Sequence, residues 1–531
     1  MESEPTAAKL KGMNAAPSSP PRTMIPNSDW EQTPLSVKQW VESREQRIQE
    51  LEQQQAAQQQ QISELQTQIQ LLQEKQNRTS SNSSTPPSLD PPQAQKRRQK
   101  KSSGKQRGGQ PGHQGHSRPL YPIEQCESVI DQYPEQCSCC GGHLHGEDAN
   151  PYRHQVVEIP PVAPIVIEHR LHQRVCSQCQ TATRAQLPPG ECQTGYGPRV
   201  VATTALLSGL YRHSQRMVQS AMQDLFGVCM SLGTVNRLRQ EASAAVASPV
   251  AKTQEYVRQQ PVVGADETSF AQGNADRGNP DQRTAWLWVV VTPLVTCFQV
   301  LLSRSQEAAQ TLLGTTFGGI LISDRYSSYN WVELTRRQLC WAHLKRDFIK
   351  ISERPGVSGQ LGEALVKQQE KLFELWHRVR DGTCGRHEFI DAAYKIREQV
   401  KALLQQGADY EIGSKEKTPL AKTVRTCRQL LKVEPAMWLF VTVKGVEPTN
   451  NAAERAIRPA VLWRRTSFGS QSQAGSNFVA RMLTVVITLR SQQRSVLEYM
   501  TAAIRAAREG KPAPSLLPEV IDSEDLVLPA A

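Results

Sequence analysis

Two short apolar runs in this chain each stop at an aspartate: PVVGADETSF reaches Asp266 and GGILISDRY reaches Asp324. An aspartate at a strand end is ordinarily a turn residue. If the two runs are neighbouring strands, however, their carboxylates meet at one rim of a sheet. Like charges so placed raise a pKa unless a cation compensates, and a hard divalent ion with oxygen ligands, such as Mg²⁺, is the natural compensation. A third acid, Glu454, lies far downstream in EPTNNAAERAIRP, where Thr449 or Asn450 can cap a helix. By itself, a helical glutamate flanked by Arg455 and Arg458 reads as an exposed ion pair worth under about 1 kcal/mol.

Cysteines supply a second kind of chemistry. Cys137-x-x-Cys140 is followed by Gly141-Gly142, and Cys176-x-x-Cys179 comes later. Two such knuckles can close a tetrahedral zinc site at about 2.3 Å per sulfur, and four protein ligands leave no open position for water, so the ion would be structural. Cys139 can replace Cys137, and His143 or His145 can stand in for a cysteine; four buried free thiols are the plainer alternative. The 35 residues between the pairs include VVEIPPVAPIVIEHRLHQRV, whose alternation predicts strands. Cys126 and Cys192 have no partner at a suitable spacing. Twelve cysteines without a secretory signal in Met1 to Met13 point to a reducing compartment.

Positive charge is concentrated rather than spread. Lys96, Arg97, Arg98, Lys100, Lys101, Lys105 and Arg107 follow one another with no acid between them, within a chain of formal charge +11. Such a run binds a polyanion through counterion release; a solvated tail is the plainer reading. Further on, RMVQSAMQDLFGVCMSLGTVNRLRQEA gives a helix, a break at Gly227 and a second helix opening near Ser231. The second helix carries Asn236, Arg237, Arg239 and Gln240, side chains able to reach bases or phosphates in a helix-turn-helix. A plain helical hairpin fits equally well.

Holding these groups takes several elements, and 531 residues suffice for three or four domains at roughly 150 residues each. Val41, Ile48, Ile62 and Ile69 share one heptad position; Leu51, Leu65 and Leu72 share the one three residues later. Gln55 and Gln58 fill the middle heptad. This repeat predicts a coiled coil, weakened at its centre, or a Gln-rich helix with accidental leucines. NRTSSNSSTPPSLDPP reads as a linker. From Pro261 the texture is mixed α/β, with TAWLWVVV and TCFQVLL as apolar strands joined at Thr292-Pro293; that break argues against a membrane span. Between Asp324 and Glu454 a helical stretch reads as an insertion.

GADET, LISDRYSSY, CWAHLKRDF and above all PTNNAAERAIRP followed by RRTSFGS resemble the insertion sequence 66 family of DDE transposases. The coiled coil, the linker, the GGQPGHQGH block and the paired CxxC motifs agree, from about Ser36 to Met500. The resemblance implies a multidomain α+β protein: coiled coil, zinc ribbon, helical DNA-binding segment, and an RNase H-like α/β catalytic core with a helical insertion. It implies an acidic triad of Asp266, Asp324 and Glu454 holding two Mg²⁺ (or Mn²⁺) ions about 3.5–4 Å apart, beside the structural Zn²⁺. Arg455, Arg458, Arg464 and Arg465 would flank phosphates, Lys345 and Arg346 would touch DNA, and Asn450 with Asn451 would position the helix. His343 would hydrogen-bond near the carboxylates or sit as a core histidine. The expected partners are element ends and target DNA, a second copy through the coiled coil, and small accessory proteins of the same element, in the cytoplasm at the nucleoid. The expected boundaries are 1–35 unstructured, 36–76 coiled coil, 77–120 linker and basic arm, 121–195 ribbon, 196–256 helical, 257–346 and 446–510 core, 347–445 insertion, and 511–531 tail. Two alternatives stand beside a transposase: a zinc-ribbon DNA-binding regulator without catalysis, and a related nuclease lacking strand transfer.

Overall fold

The computed structural model describes residues 26–76, 118–188, 190–191 and 194–518. The linker, the basic run Lys96 to Arg107, the GGQPGHQGH block, Cys192 and the tail beyond residue 518 lie outside the described residues. The chain divides into two units, Met1–Leu89 and Asp90–Ala531.

In the first unit, a short helix α1 (Asn27–Glu31) precedes α2 (Leu35–Gln76). Helical structure thus begins before residue 35: Asp29 stands in the first turn of α1, where the helix dipole favours an acid. α2 runs unbroken for 42 residues, as a stretch of Glu, Gln and Leu without Gly or Pro allows. Ile48, Leu51, Ile62, Leu65 and Ile69, at the heptad positions, are all exposed.

In the second unit, described residues 118–188 hold little regular structure. Two short strands, β1 (Gln173–Val175) and β2 (Ala182–Arg184), pair antiparallel around the second CxxC. Of the alternating run Val156–Val175, only the end, Gln173–Val175, forms a strand, and 156–172 forms none, contrary to its pattern. Pro160, Pro161 and Pro164 remove backbone donors, and an apolar alternation without a neighbouring strand to pair with has no ladder to join. Four helices follow, α3 (Pro198–Gly209), α4 (Gln215–Phe226), α5 (Leu232–Ala245) and α6 (Ala247–Arg258). Gly227 closes α4 in the left-handed region and Ser231 caps α5 through its bond from Thr234 N. The expected helix-break-helix outline is present.

The central sheet is built from β3 (Val262–Phe270), β4 (Ala285–Val291) and β5 (Thr296–Leu301), then, after helix α7 (Gln306–Leu313), β6 (Ile320–Ser323) and β7 (Arg337–Leu339). Its order is β5-β4-β3-β6-β7. β3, β4 and β5 form an antiparallel meander, while β6 is parallel to β3 and β7 to β6. The turn at Thr292-Pro293 is closed by Thr292 N to Val295 O at 2.9 Å.

From β7 the chain leaves the sheet for α8 (Trp341–Ser352), α9 (Val357–Arg380), α10 (Arg386–Ala408), α11 (Pro419–Lys432) and α12 (Leu439–Thr442). Trp341, Trp376, Trp438 and Phe440 pack these together edge to face, Trp341 and Trp438 with ring centres 5.0 Å apart, and Phe389 lies tilted against Trp376 and Phe440. The stretch adds no strand. The chain then returns as α13 (Asn451–Ser467), α14 (Gln473–Ser491) and α15 (Val496–Arg508). One face of the sheet packs on α13 and α14 through Phe270, Leu287 and Val289, the other on α6 and α7 through Val263, Ala265 and Val290. This is a mixed helix-and-sheet protein. Among the described residues, no helix is long and apolar enough to cross a membrane.

Candidate active site

β3 and β6 run parallel with Val262 opposite Ile320, Val263 opposite Leu321 and Gly264 opposite Ile322. Asp266 is two residues past Gly264, and Asp324 is two past Ile322. The two aspartates therefore hold corresponding positions two residues past the last β3–β6 pair; Asp266 does not end its strand as the apolar run predicted, because β3 continues to Phe270 in register with β4. Side chains alternate faces along a strand, so both project to the side that Gly264 and Ile322 share. That side is covered by α13, whose first turn carries Glu454.

The close seating of α13 depends on Gly264, where a Cβ would lie 2.9 Å from Asn450 Oδ1. Asn450 stands at the start of the helix but makes no side-chain cap. Its amide instead donates to Ala265 O at 2.6 Å, and its backbone N–H donates to Cys340 Sγ at 3.2 Å. One buried residue thus fixes the Glu454 helix to β3 and to the start of α8.

Asp266 is half-buried, and its carboxyl is held well above the usual carboxylate range. Burial contributes most, followed by the charges of Glu267, Asp324 and Glu454, against one stabilising bond from Glu267 N–H at 2.9 Å. Asp324 accepts from Tyr326 N–H at 2.9 Å, and the buried Arg337 guanidinium holds its backbone through Asp324 O at 3.0 Å. Glu454 Oε1 lies 3.5 Å from His343 Nδ1 and 3.9 Å from Arg346 Nη2. Neither contact is a hydrogen bond: Glu454 Oε1 and His343 Nδ1 are buried atoms without a partner. Burial and the Arg346 charge push the His343 imidazole down, so it favours its neutral form.

Three carboxylates, one raised by burial and neighbouring acids and one with an unpartnered buried oxygen, fit a hard divalent cation. Among the described residues, the trio whose ligand atoms fall within 4.8 Å of one another is Cys340, His343 and Glu454; the three carboxylates are spread more widely, as ligands shared between two ions can be. Cys340 is not a credible ligand. It is buried, burial and the Glu454 charge push its thiol up to about 12, and it accepts the Asn450 N–H.

The reverse side of β3 holds residues that the sequence pattern did not single out. Glu267 points away from Asp266 into the sheet's other face, where Arg304 binds it at 2.8 and 2.7 Å and the Tyr329 hydroxyl donates to its second oxygen. Arg304 is stacked between Trp286 and Tyr326, at 4.6 and 3.5 Å from the ring centres. Since Tyr326 N–H also holds Asp324, the two aspartates are linked from behind through Glu267, Arg304 and Tyr326. An acid adjacent to Asp266 in an apolar strand was the available signal, because period-two alternation must bury it opposite.

The cationic residues divide. Arg455, Arg458 and Arg465 lie on the exposed face of α13. Arg464 turns inward, its Nη1 bonding Thr268 Oγ1 at 2.9 Å, Ser269 O at 2.6 Å and Ser269 Oγ at 2.7 Å. Lys345 pairs with Glu370 at 3.6 Å. On α5, Arg237 is exposed, whereas Arg239 lies 4.4 Å over the Phe478 ring, its pKa lowered by burial.

Both cysteine pairs form the same turn. Gly141 N donates to Cys137 O at 2.9 Å, and Gln180 N donates to Cys176 O at 3.0 Å. Gly141 and Gln180, each following the second cysteine, have φ of 73° and 57°. Hydrogen bonds from Cys140 and Cys139 lower the Cys137 thiol, and those from Thr181 and Cys176 lower the Cys179 thiol. Donors to sulfur favour the thiolate that a metal requires.

A family model described as the zinc-finger binding domain of transposase IS66 matches residues 134–180, the span containing both turns. A second, described as the transposase IS66 family, matches residues 197–477, more than half of the chain. The chain belongs to the IS66 transposase family. Its zinc-finger domain supports a structural zinc ion, and Cys137, Cys140, Cys176 and Cys179 have the donor chemistry to hold it. The matched transposase span includes the β3, β6 and α13 positions described above. A family of unknown function matches residues 31–119. The IS66 family chain is also similar to two uncharacterised proteins of Sinorhizobium fredii. It is 25% identical to y4hP over 394 residues, covering 68% of this chain and 69% of that protein. It is 27% identical to y4qI over 283 residues, covering 49% and 50%.

Proposed function

We propose that this transposase cuts and joins DNA by divalent-metal-dependent phosphoryl transfer, with Asp266, Asp324 and Glu454 as the metal-holding residues of an RNase H-like core. The observation that carries the reading is the matched register of Asp266 and Asp324 on neighbouring parallel strands, facing the helix that bears Glu454. A regulator that only bound DNA would have no use for three neighbouring carboxylates, one of them with its pKa raised by burial and by the acids around it.

Bound between these carboxylates, a pair of Mg²⁺ ions would activate the attacking hydroxyl and neutralise the departing oxygen. The chain's own part is positioning. Asn450 holds the Glu454 helix to the middle of β3, Arg337 and Tyr326 fix the Asp324 turn, and neutral His343 fills the space beside Glu454 without adding charge. Arg455, Arg458 and Arg465, exposed beyond Glu454, suit phosphates flanking the reacting one. Hydrolysis would leave 3′-hydroxyls at the element ends. Each hydroxyl would then attack a target phosphodiester, exchanging one P–O bond for another and releasing the target's own 3′-hydroxyl. No covalent enzyme intermediate is needed.

Incubating the purified chain with labelled element ends, target plasmid and Mg²⁺ tests this. Joined products are expected. Cleavage without joining would reassign the protein as a nuclease, and retardation alone would reassign it as a DNA-binding regulator.

A further inference from the structure

The C-terminal end of α13 presents a feature that folding does not account for. Phe468 adopts φ 56°, the left-handed region, which a bulky side chain rarely occupies. Its ring is not compensated by packing, for the residue is 84% exposed. Nor is the segment loose. Ser467 Oγ bonds Trp463 O at 2.9 Å and Gly469 O at 3.2 Å. Gly469 is pressed so closely on the end of β3 that a Cβ there would lie 2.1 Å from Ala271 O. Ser470 then pairs with Ala271 and Gly273 at 2.9 and 2.8 Å, and the Asp276 carboxylate accepts from Gln473 and Ala474 N–H at 3.0 and 2.9 Å to anchor α14. A rigid turn on both sides therefore holds one aromatic ring out in water, at a backbone conformation better suited to glycine.

The surroundings indicate what the ring meets. Arg455, Arg458, Leu462 and Arg465 recur at helical spacing along the exposed face of α13 between Glu454 and Phe468, giving a cationic track that ends at the ring. Phe468 follows β3 by way of Ala271, five residues beyond Asp266, which is about 17 Å at strand rise and the rise of about five stacked bases. Aromatic rings stack on unpaired bases of any sequence.

Resting on the DNA-acting reading above, we propose that Phe468 is a base-stacking contact that captures an unpaired nucleobase of the DNA whose backbone follows α13. Duplex bases are already stacked and cannot use the ring. The contact thus selects DNA that is frayed, nicked or single-stranded about five bases from the reacting phosphate.

The test compares the affinity of the full-length protein for a blunt DNA duplex and for the same duplex with a single-stranded tail of about four nucleotides. The wild type should prefer the tailed DNA by about 5- to 100-fold. Phe468→Ala and Phe468→Gly should lose that preference, and Phe468→Trp should keep it. Phe468→Gly should melt no lower than the wild type, since the ring contributes nothing to the core. Equal preference in the wild type and Phe468→Ala would overturn the proposal while leaving the DNA-acting reading intact. Failure of the wild type to bind either DNA would overturn both. A variant whose sedimentation changes while its DNA preference does not would show that the ring contacts protein instead.

Discussion

Asp266 and Asp324 occupy equivalent strand positions, yet their surroundings differ: the first is buried among acids, the second is tied to a turn by Tyr326 and Arg337. Asp324→Asn keeps the shape and removes the charge. It should lower cleavage and joining by on the order of 10³-fold or more with DNA affinity within about twofold, as gel retardation and product assays would show; loss of binding as well would make the residue structural. Glu267→Ala should instead act on folding. It leaves the Arg304 guanidinium and the Tyr329 hydroxyl without their partner, and should lower stability by about 3 kcal/mol, measured by urea unfolding. A loss below about 1 kcal/mol would mean that the reverse-face contacts hold nothing in place. Legibility at this scale was uneven. Apolar runs ending in acids are a local signal, so Asp266 and Asp324 could be read directly. Arg464 and Arg239 could not, because only their distant partners Thr268, Ser269 and Phe478 turn them inward. Asn450 read as a cap for the same reason: the chain 185 residues earlier supplies the carbonyl it prefers.

Among the elements, the knuckles and the helices were the most readable. Gly227 and Ser231 mark the α4–α5 break through local backbone chemistry, and the strands of the sheet follow the apolar pattern except at β3, which runs through the polar residues after Asp266 to Phe270 because β4 pairs with it there. The run over 156–172 fails because alternation states only that a segment could lie half-buried in a sheet; whether a partner strand exists is decided elsewhere in the chain. The same segment bears on zinc. With little regular structure around the paired turns, a bound zinc ion would supply much of the local order, on the order of 10 kcal/mol or more. Cys176→Ser should abolish bound zinc, measured by atomic absorption, and expose residues 118–195 to proteolysis while the melting of the helical and sheet core stays in place. Retained zinc would remove Cys176 from the ligand set.

At the scale of the whole molecule, α2 carries a row of exposed Ile and Leu at heptad spacing, which favours pairing with a second copy. Replacing Ile62 and Leu65 by aspartate should shift the protein toward monomer in sedimentation equilibrium, with the catalytic unit's melting unchanged. An unchanged mass would leave α2 as a spacer. The stretch between β7 and α13 has a different whole-chain meaning. Trp341 N–H donates to Pro448 O at 2.9 Å and Asn450 N–H to Cys340 Sγ at 3.2 Å, so this largely helical stretch leaves the sheet and returns to it at neighbouring points. Closing a longer excursion there costs only about 0.6 kcal/mol per doubling of its length. A change in the length of that appendage, made far from the return point, would therefore cost the fold little.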